Sequence, residues 1–237
     1  MTWAWENREL VLELFWRHAW LSAIPVVVGG LLAVPVGWFS HRNPRLRGGV
    51  LALVSLLYTV PSLPLLVILP LVIGTGFLSP LNVLIALTIY AVAIMARTAN
   101  DAFGSVSPAV LDAARATGYA PARLAFTVEL PLAGPVLLAG LRVVSVSTVS
   151  LVSIGALIGV SSLGSLFTDG YQRDFTTEIV VGIVATVVLA LLFDAVLVLL
   201  GRLAMPWARS QRSVTPTQGR WAAFFTRGGV SAGGDAL

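Results

Sequence analysis

Charges fall in narrow bands along this 237-residue chain, and the stretches between them are long enough to cross a membrane. Residues 19–39 are 21 consecutive uncharged positions, and a helix needs about 20 apolar residues to span the hydrocarbon core. Residues 48–96 are a run of 49 without a charge. As one helix that run would be roughly 73 Å long, more than twice the core thickness. It therefore predicts two spans, 50–73 and 81–96, separated by the turn-rich residues 74–80. Pro61, Pro64 and Pro70 kink the first of the two, and kinked helices in membranes face protein or a water-filled path. A fourth span is predicted over 132–158 and a fifth over 179–203. Residues 161–178 are a loop. In residues 1–18, Leu10, Val11, Leu14 and Phe15 recur at helical spacing among charges, which predicts a short interfacial helix. The segment is acidic and lacks a cleavage signature, so it is not a signal peptide. Beyond Pro206 the chain turns Arg-, Gly- and Ser-rich, and 206–237 is expected to be disordered.

Composition narrows the chemistry. Hydrophobic residues are 57% of the chain and charged residues 11%, against about 25% charged in soluble domains. The fold class is all-α integral membrane. No cysteine is present, so thiolate chemistry and disulfides are excluded. Two histidines, His18 and His41, do not make a His-rich metal site. All 15 basic residues are arginine, and a phosphate loop of the Walker A type needs a lysine. ATP-driven work would have to be done by another chain. The net charge of +4 reflects arginine bias between loops and not nucleic-acid binding. With five spans, the side holding 41–47, 97–131 and the tail carries eleven arginines, and the other side carries Arg8, Arg17 and Arg173. The first side is predicted to be cytoplasmic and the N-terminus outside. The chain then divides into an extracytoplasmic segment 1–18, a membrane domain 19–205 and a cytoplasmic tail 206–237.

The longest polar interruption between spans, 107–131, is punctuated like a folded element. Ser107 is placed to cap a helix with its side chain. Pro108 suits the first helical position, and 109–117 are mostly helix formers. Gly118 suits the left-handed residue that ends a helix. Pro121 opens a second short helix, predicted to run to Leu130 with a boundary at Pro131.

Within it, Asp112-Ala113-Ala114, Gly118, Val128, Leu130 and Pro131 keep the spacing of Glu-Ala-Ala, three residues, Gly, nine residues, Ile, one residue, Leu-Pro. The stretch resembles the EAA loop of permeases of bacterial binding-protein-dependent ABC importers. Asp replaces Glu at 112, and Val replaces Ile at 128. The resemblance continues through Pro135 to Arg142, and through Ala156-Leu157-Ile158-Gly159, Leu163-Gly164 and Asp169-Gly170. There it looks like the permeases for glycine betaine, carnitine and choline, as does Tyr58-Thr59-Val60-Pro61-Ser62-Leu63-Pro64. Val160, Ser161 and Ser162 stand where that family often has Ala-Gly-Gly. In all, it covers roughly residues 8 to 205.

The resemblance implies the type I ABC importer permease fold, with five transmembrane helices and a cytoplasmic coupling loop. It implies a transport subunit in the bacterial cytoplasmic membrane that performs no bond chemistry and holds no cofactor. ATP and Mg would be bound by a dimer of a separate ATPase docked on Asp112, Ala113, Ala114, Gly118, Leu130 and Pro131. A second permease subunit, an extracytoplasmic solute-binding protein and membrane lipid are the other implied partners. An amino-acid importer permease of the methionine type shares the loop and is the alternative.

Arg142 and Asp194 are the charges well inside predicted spans, where charge is costly and faces the bundle interior or a water path. At about 100° per residue, Arg142, Ser145 and Ser153 share an arc of about 80°, with Thr148 about 60° beyond. Two readings stay open: a lining for the translocation path formed by Arg142, Ser145, Thr148, Ser153 and Asp194, or a structural strut pairing Arg142 with Asp194. A different class, an ion-coupled secondary transporter relaying charge through Arg142 and Asp194, would be supported by inverted repeats, and the sequence shows none.

Overall fold

A computed structural model of the chain describes residues 2–208. The helices in order are α1 (Thr2–Glu6), α2 (Arg8–Arg42), α3 (Pro44–Thr59), α4 (Ser62–Ile73), α5 (Pro80–Gly104), α6 (Pro108–Ala116), α7 (Pro121–Leu124), α8 (Leu130–Val152), α9 (Gly164–Gln172) and α10 (Thr176–Ala204). A π-helical turn, Ala125–Glu129, joins α7 to α8, and a 3-10 helix, Ser153–Ile158, follows α8. Among the described residues four continuous segments are long and apolar enough to cross a membrane: Arg8–Arg42, Pro80–Gly104, Pro121–Ile158 and Thr176–Ala204. The pair α3 and α4, bent by 99°, makes a fifth when taken as one broken span.

The interfacial helix read from the sequence is instead the opening turns of α2. Glu13 and Arg17 pair at 2.7 Å one turn apart, and no Gly or Pro intervenes before Pro25 to end the helix. Of the expected tail, residues 206–208 make one 3-10 turn and the rest lies outside the described residues. The span expected to kink at Pro61 is broken there. A residue before proline is pushed out of the α region, and Val60 is extended, with ψ 126°. Its freed carbonyl accepts a hydrogen bond of 2.5 Å from the Tyr90 hydroxyl of α5. The predicted turn over 74–80 is present. Gly74 closes α4 at φ 77°, and buried Asn82 donates to the Gly76 carbonyl at 2.9 Å and accepts from the Thr75 hydroxyl. Residues 164–172, read as loop, form the short helix α9.

The bundle is assembled around α5. Gly29, Ala33 and Gly37 line one face of α2 at four-residue spacing and are buried. Small residues let membrane helices approach closely, where dispersion and not the hydrophobic effect drives association. A Cβ at Gly29 would lie 2.4 Å from the Ala91 Cβ, and one at Gly37 would lie 2.4 Å from the Ala99 Cβ. On the adjoining strip of α5, a Cβ at Gly140 of α8 would meet the Thr98 side chain at 2.3 Å. α10 packs on α8, with Gly201 under Leu138, and leaves Val184, Val187, Leu191 and Leu199 exposed.

The two ends of the bundle are distinct. At one end His41 lies against Gly104 and Met205 against Gly134, so the ends of α2, α5 and α10 gather around the root of α8. At the other, Trp3 packs edge-on against Phe175 and Leu78 lies against Gly159.

The α2–α5 contact predicts a test. Gly37→Ala should lower the thermal unfolding temperature of the detergent-solubilised protein, with an overpacking cost of about 1–3 kcal/mol. Gly48→Ala, with nothing within 4 Å of the new Cβ, should leave it unchanged or raise it.

Candidate functional site

Two polar sites emerge, one at the 107–131 loop and one between α8 and α10. In the loop, α6 buries none of its residues. Asp112 and Arg115 pair at 2.8 Å, both more than half exposed. Ala113 is exposed and Ala114 half-buried. Helix α6 ends as predicted. Gly118 has φ 86°, and the next N–H, that of Tyr119, reaches back to the Ala114 carbonyl at 3.2 Å. A Cβ at Gly118 would meet nothing within 4 Å, so the glycine serves the backbone conformation and not packing. Arg123 covers the Tyr119 ring at 5.0 Å and closes the turn.

Two details of the predicted loop are corrected. Ser107 holds the N-cap position of α6, but its side chain makes no capping bond. Its carbonyl accepts from the N–H groups of Val110 and Leu111 instead. Pro131 does not mark a boundary. α7 runs through the π-helical turn into α8 as one segment, Pro121–Ile158. The Leu130 N–H bonds the Ala125 carbonyl, five residues back, and this widened turn sets Pro131 in the first turn of α8, where its missing N–H is tolerated.

At the root of the loop is a contact that the sequence reading did not assign. Glu129 is buried, 5% exposed. Its Oε2 accepts from Trp38 Nε1 at 2.8 Å, and its Oε1 accepts from an Arg42 Nη at 2.7 Å. The Arg42 guanidinium also lies over the Trp38 ring at 4.6 Å. Trp38 and Arg42 stand one helical turn apart on α2, so they share a face. A lone glutamate immediately before Leu-Pro, with an aromatic and an arginine at that spacing at the end of the first span, was the available signal. Beside this contact is a cavity of about 380 Å³ lined by His41, Arg42, Phe103, Leu111, Arg115 and Glu129.

In the membrane-spanning part, Arg142 of α8 meets Asp194 of α10 in a two-pronged pair. Nε donates to Oδ1 at 2.5 Å and an Nη to Oδ2 at 2.8 Å. The strut is therefore the arrangement the structure contains, and it answers the cost of an intramembrane charge. Ser145 and Thr148 are buried, and Ser153 is half-buried in the 3-10 helix. Among the described residues no hydrogen bond links these three hydroxyls to the ion pair.

At the far end of α8, the Ser153 N–H turns to the Ser150 carbonyl, which leaves the Val149 carbonyl without its α-helical donor. Buried His18 of α2 takes that place, its Nε2 at 2.8 Å from the Val149 oxygen. The 3-10 helix then ends at Gly159, φ 85°.

Comparison with known proteins agrees with this geometry. The model of a family described as the binding-protein-dependent transport system inner membrane component matches residues 26–210. The chain belongs to that family. The permease is 29% identical over 210 residues to the carnitine transport permease protein OpuCD of Listeria monocytogenes, covering 88% of this chain and 93% of that protein. It is 31% identical over 202 residues to the glycine betaine/carnitine/choline transport system permease protein OpuCD of Bacillus subtilis, covering 85% and 87%. In fold it is similar to a chain of the MetNI methionine ABC transporter in an inward-facing conformation, with TM-score 0.70 at 21% identity, covering 85% of this chain and 97% of that one. The permease thus has the type I ABC importer fold and is a membrane component of a transport system.

The ion pair gives a prediction for a double-mutant cycle. Arg142→Ala and Asp194→Ala should each destabilise the solubilised permease, because each strands the partner's charge. The double variant should be less destabilised than the sum, with an interaction of about 0.5–3 kcal/mol read from thermal unfolding.

Proposed function

We propose that this permease forms the translocation path of an ABC importer for quaternary-amine osmoprotectants such as glycine betaine, carnitine or choline. The observation that carries the coupling half of the reading is the exposed helix, Gly118 turn and helix at residues 107–131. It is displayed at one end of a bundle of importer permease fold and continuous with a membrane span. In this reading the face made by Asp112, Ala113, Ala114 and Gly118 docks a separate ATPase subunit, which binds ATP and Mg. Leu130 and Pro131 carry the loop into α8. ATP-driven closure of an ATPase dimer displaces the loops of two paired permeases and alternates access to the path between them. A solute-binding protein delivers the substrate from outside. Arg142 and Asp194, part-exposed, and half-buried Ser153 are the groups of α8 and α10 open to that path, with the ion pair also holding the two helices together; Ser145 and Thr148 are buried behind them and would line it only after these helices part.

The orientation follows the arginine bias, with the N-terminus outside and the coupling loop and C-terminus in the cytoplasm. Supporting it, Arg42, Glu129 and Met205 lie at the same end of the bundle. The substrate class is supported by the named substrates of the two relatives. The likeness to the methionine transporter bears on fold alone.

Two measurements test the proposal. Cells lacking the chain should regain uptake of labelled glycine betaine at high salt when complemented, and that uptake should stop on ATP depletion but not on collapse of ion gradients alone. Gly118→Asp should abolish uptake while the protein still reaches the membrane. The side chain enters open space, and its left-handed backbone costs only about 1–2 kcal/mol, so the loss would report the docking face. Full uptake by that variant would contradict docking and favour a secondary transporter.

A further inference from the structure

We propose that Glu129 is the positioning residue through which movement of the coupling loop is delivered to the first span. The proposal rests on the reading of that loop as the ATPase docking element.

Glu129 is the last residue of the π-helical turn, at the point where the loop becomes α8. Both of its carboxylate oxygens are engaged by the end of α2, through Trp38 and Arg42. Those two side chains are also stacked on each other. The three form a closed triangle, so α2 holds the carboxylate with two groups that brace one another. The carboxylate is buried apart from the side that borders the cavity next to Arg42. Separating the loop root from α2 would leave an unpaired charge in a low-dielectric site. The end of α2 therefore follows the loop.

The other contacts of the loop do not have this character. α6 buries no residue, and its ion pair, Asp112 with Arg115, is internal and exposed. The cavity between Leu111 and Arg115 of α6, His41 and Arg42 of α2 and Phe103 of α5 leaves space for α6 to tilt. Leu111 of α6 packs against the core that holds Phe103 of α5, so a push on α6 meets α5 through an apolar contact and meets α2 through the charged contact at the loop root. From Trp38 and Arg42 the displacement enters the bundle along the tight Gly29–Gly37 face against α5.

The test uses the full assembly of permease, ATPase and solute-binding protein in proteoliposomes, and reads ATP hydrolysed per glycine betaine taken up. A defect that merely reduces the amount of folded protein lowers hydrolysis and uptake together and leaves this ratio alone. Glu129→Gln keeps size and removes the charge. It should raise the ratio about tenfold, on the scale of one lost hydrogen bond to a charged group. Trp38→Phe removes one donor and should raise it less; this mild variant carries the test should Glu129→Gln fail to accumulate. Exchange of the charges, Arg42→Glu with Glu129→Arg, should recover part of the coupling that Arg42→Glu alone loses. An unchanged ratio in an assembly that retains its ATPase overturns this proposal and leaves the docking reading intact. Failure of the wild-type permease to hold any ATPase overturns the docking reading, and this proposal with it.

Discussion

Inside a bilayer a backbone carbonyl has no water to turn to, so every departure from the α-helix needs a named substitute. This constraint organises the structure. At Val60, where Pro61 breaks the broken span, the substitute is the Tyr90 hydroxyl. At Val149, where α8 tightens into a 3-10 helix, it is the His18 ring. At residues 125–129 the ladder widens to a π turn, and Pro131 follows without a break. Each irregularity is therefore tied to a helix other than its own, α5 once and α2 twice. Tyr90 joins α5 to the kink between α3 and α4, His18 joins α2 to the end of α8, and Glu129 joins the π turn to the end of α2. α2 is thus held to the segment containing α8 at both of that segment's ends, with its small-residue face against α5 between.

Ionised side chains obey the same constraint with larger energies. Arg142 and Asp194 meet through two hydrogen bonds between α8 and α10. Glu129 is neutralised by Arg42 at the membrane end of the loop. By contrast, the pair Asp112–Arg115 is exposed within one short helix, where an ion pair adds little stability. The proposed docking face is thus exposed, while Glu129 behind it is already paired.

What could be read from the sequence follows the range of the forces involved. The apolar segments, four continuous and a fifth when the bent pair α3 and α4 is taken as one span, the turn at 74–80 and the left-handed Gly118 are local consequences of charge spacing, proline and glycine, and they were legible. The loop spacing from Asp112 to Pro131 was legible as a resemblance. The start of α2 was not, because the charges of Glu9, Glu13 and Arg17 mark a change of solvent and not the end of a helix. Helix α9 was missed because its Gly-, Ser- and Thr-rich nine residues have the composition of a loop. Pro131 misled because a π turn five residues wide cannot be inferred from a proline. The Arg142–Asp194 pairing was one of two readings, since periodicity gives the face of one helix and not its neighbour. The triangle of Glu129, Trp38 and Arg42 spans some ninety residues of chain, and only the packing of α2 against α8 brings it together.

That triangle also clarifies why the loop is built from two dissimilar halves. Residues 108–116 are an exposed helix with an internal ion pair, adjustable at its base because a cavity lies beneath it. Residues 121–158 are a continuous segment that holds Glu129 near its root, paired with the end of α2. On the proposed reading, the exposed half would need some compliance to accept a partner, and the half continuous with α8 would need stiffness to pass on displacement. The Gly118 turn, held by Tyr119 and Arg123, is the joint between them. The arrangement separates the two requirements along the chain, so compliance at Asp112 does not weaken the grip at Glu129.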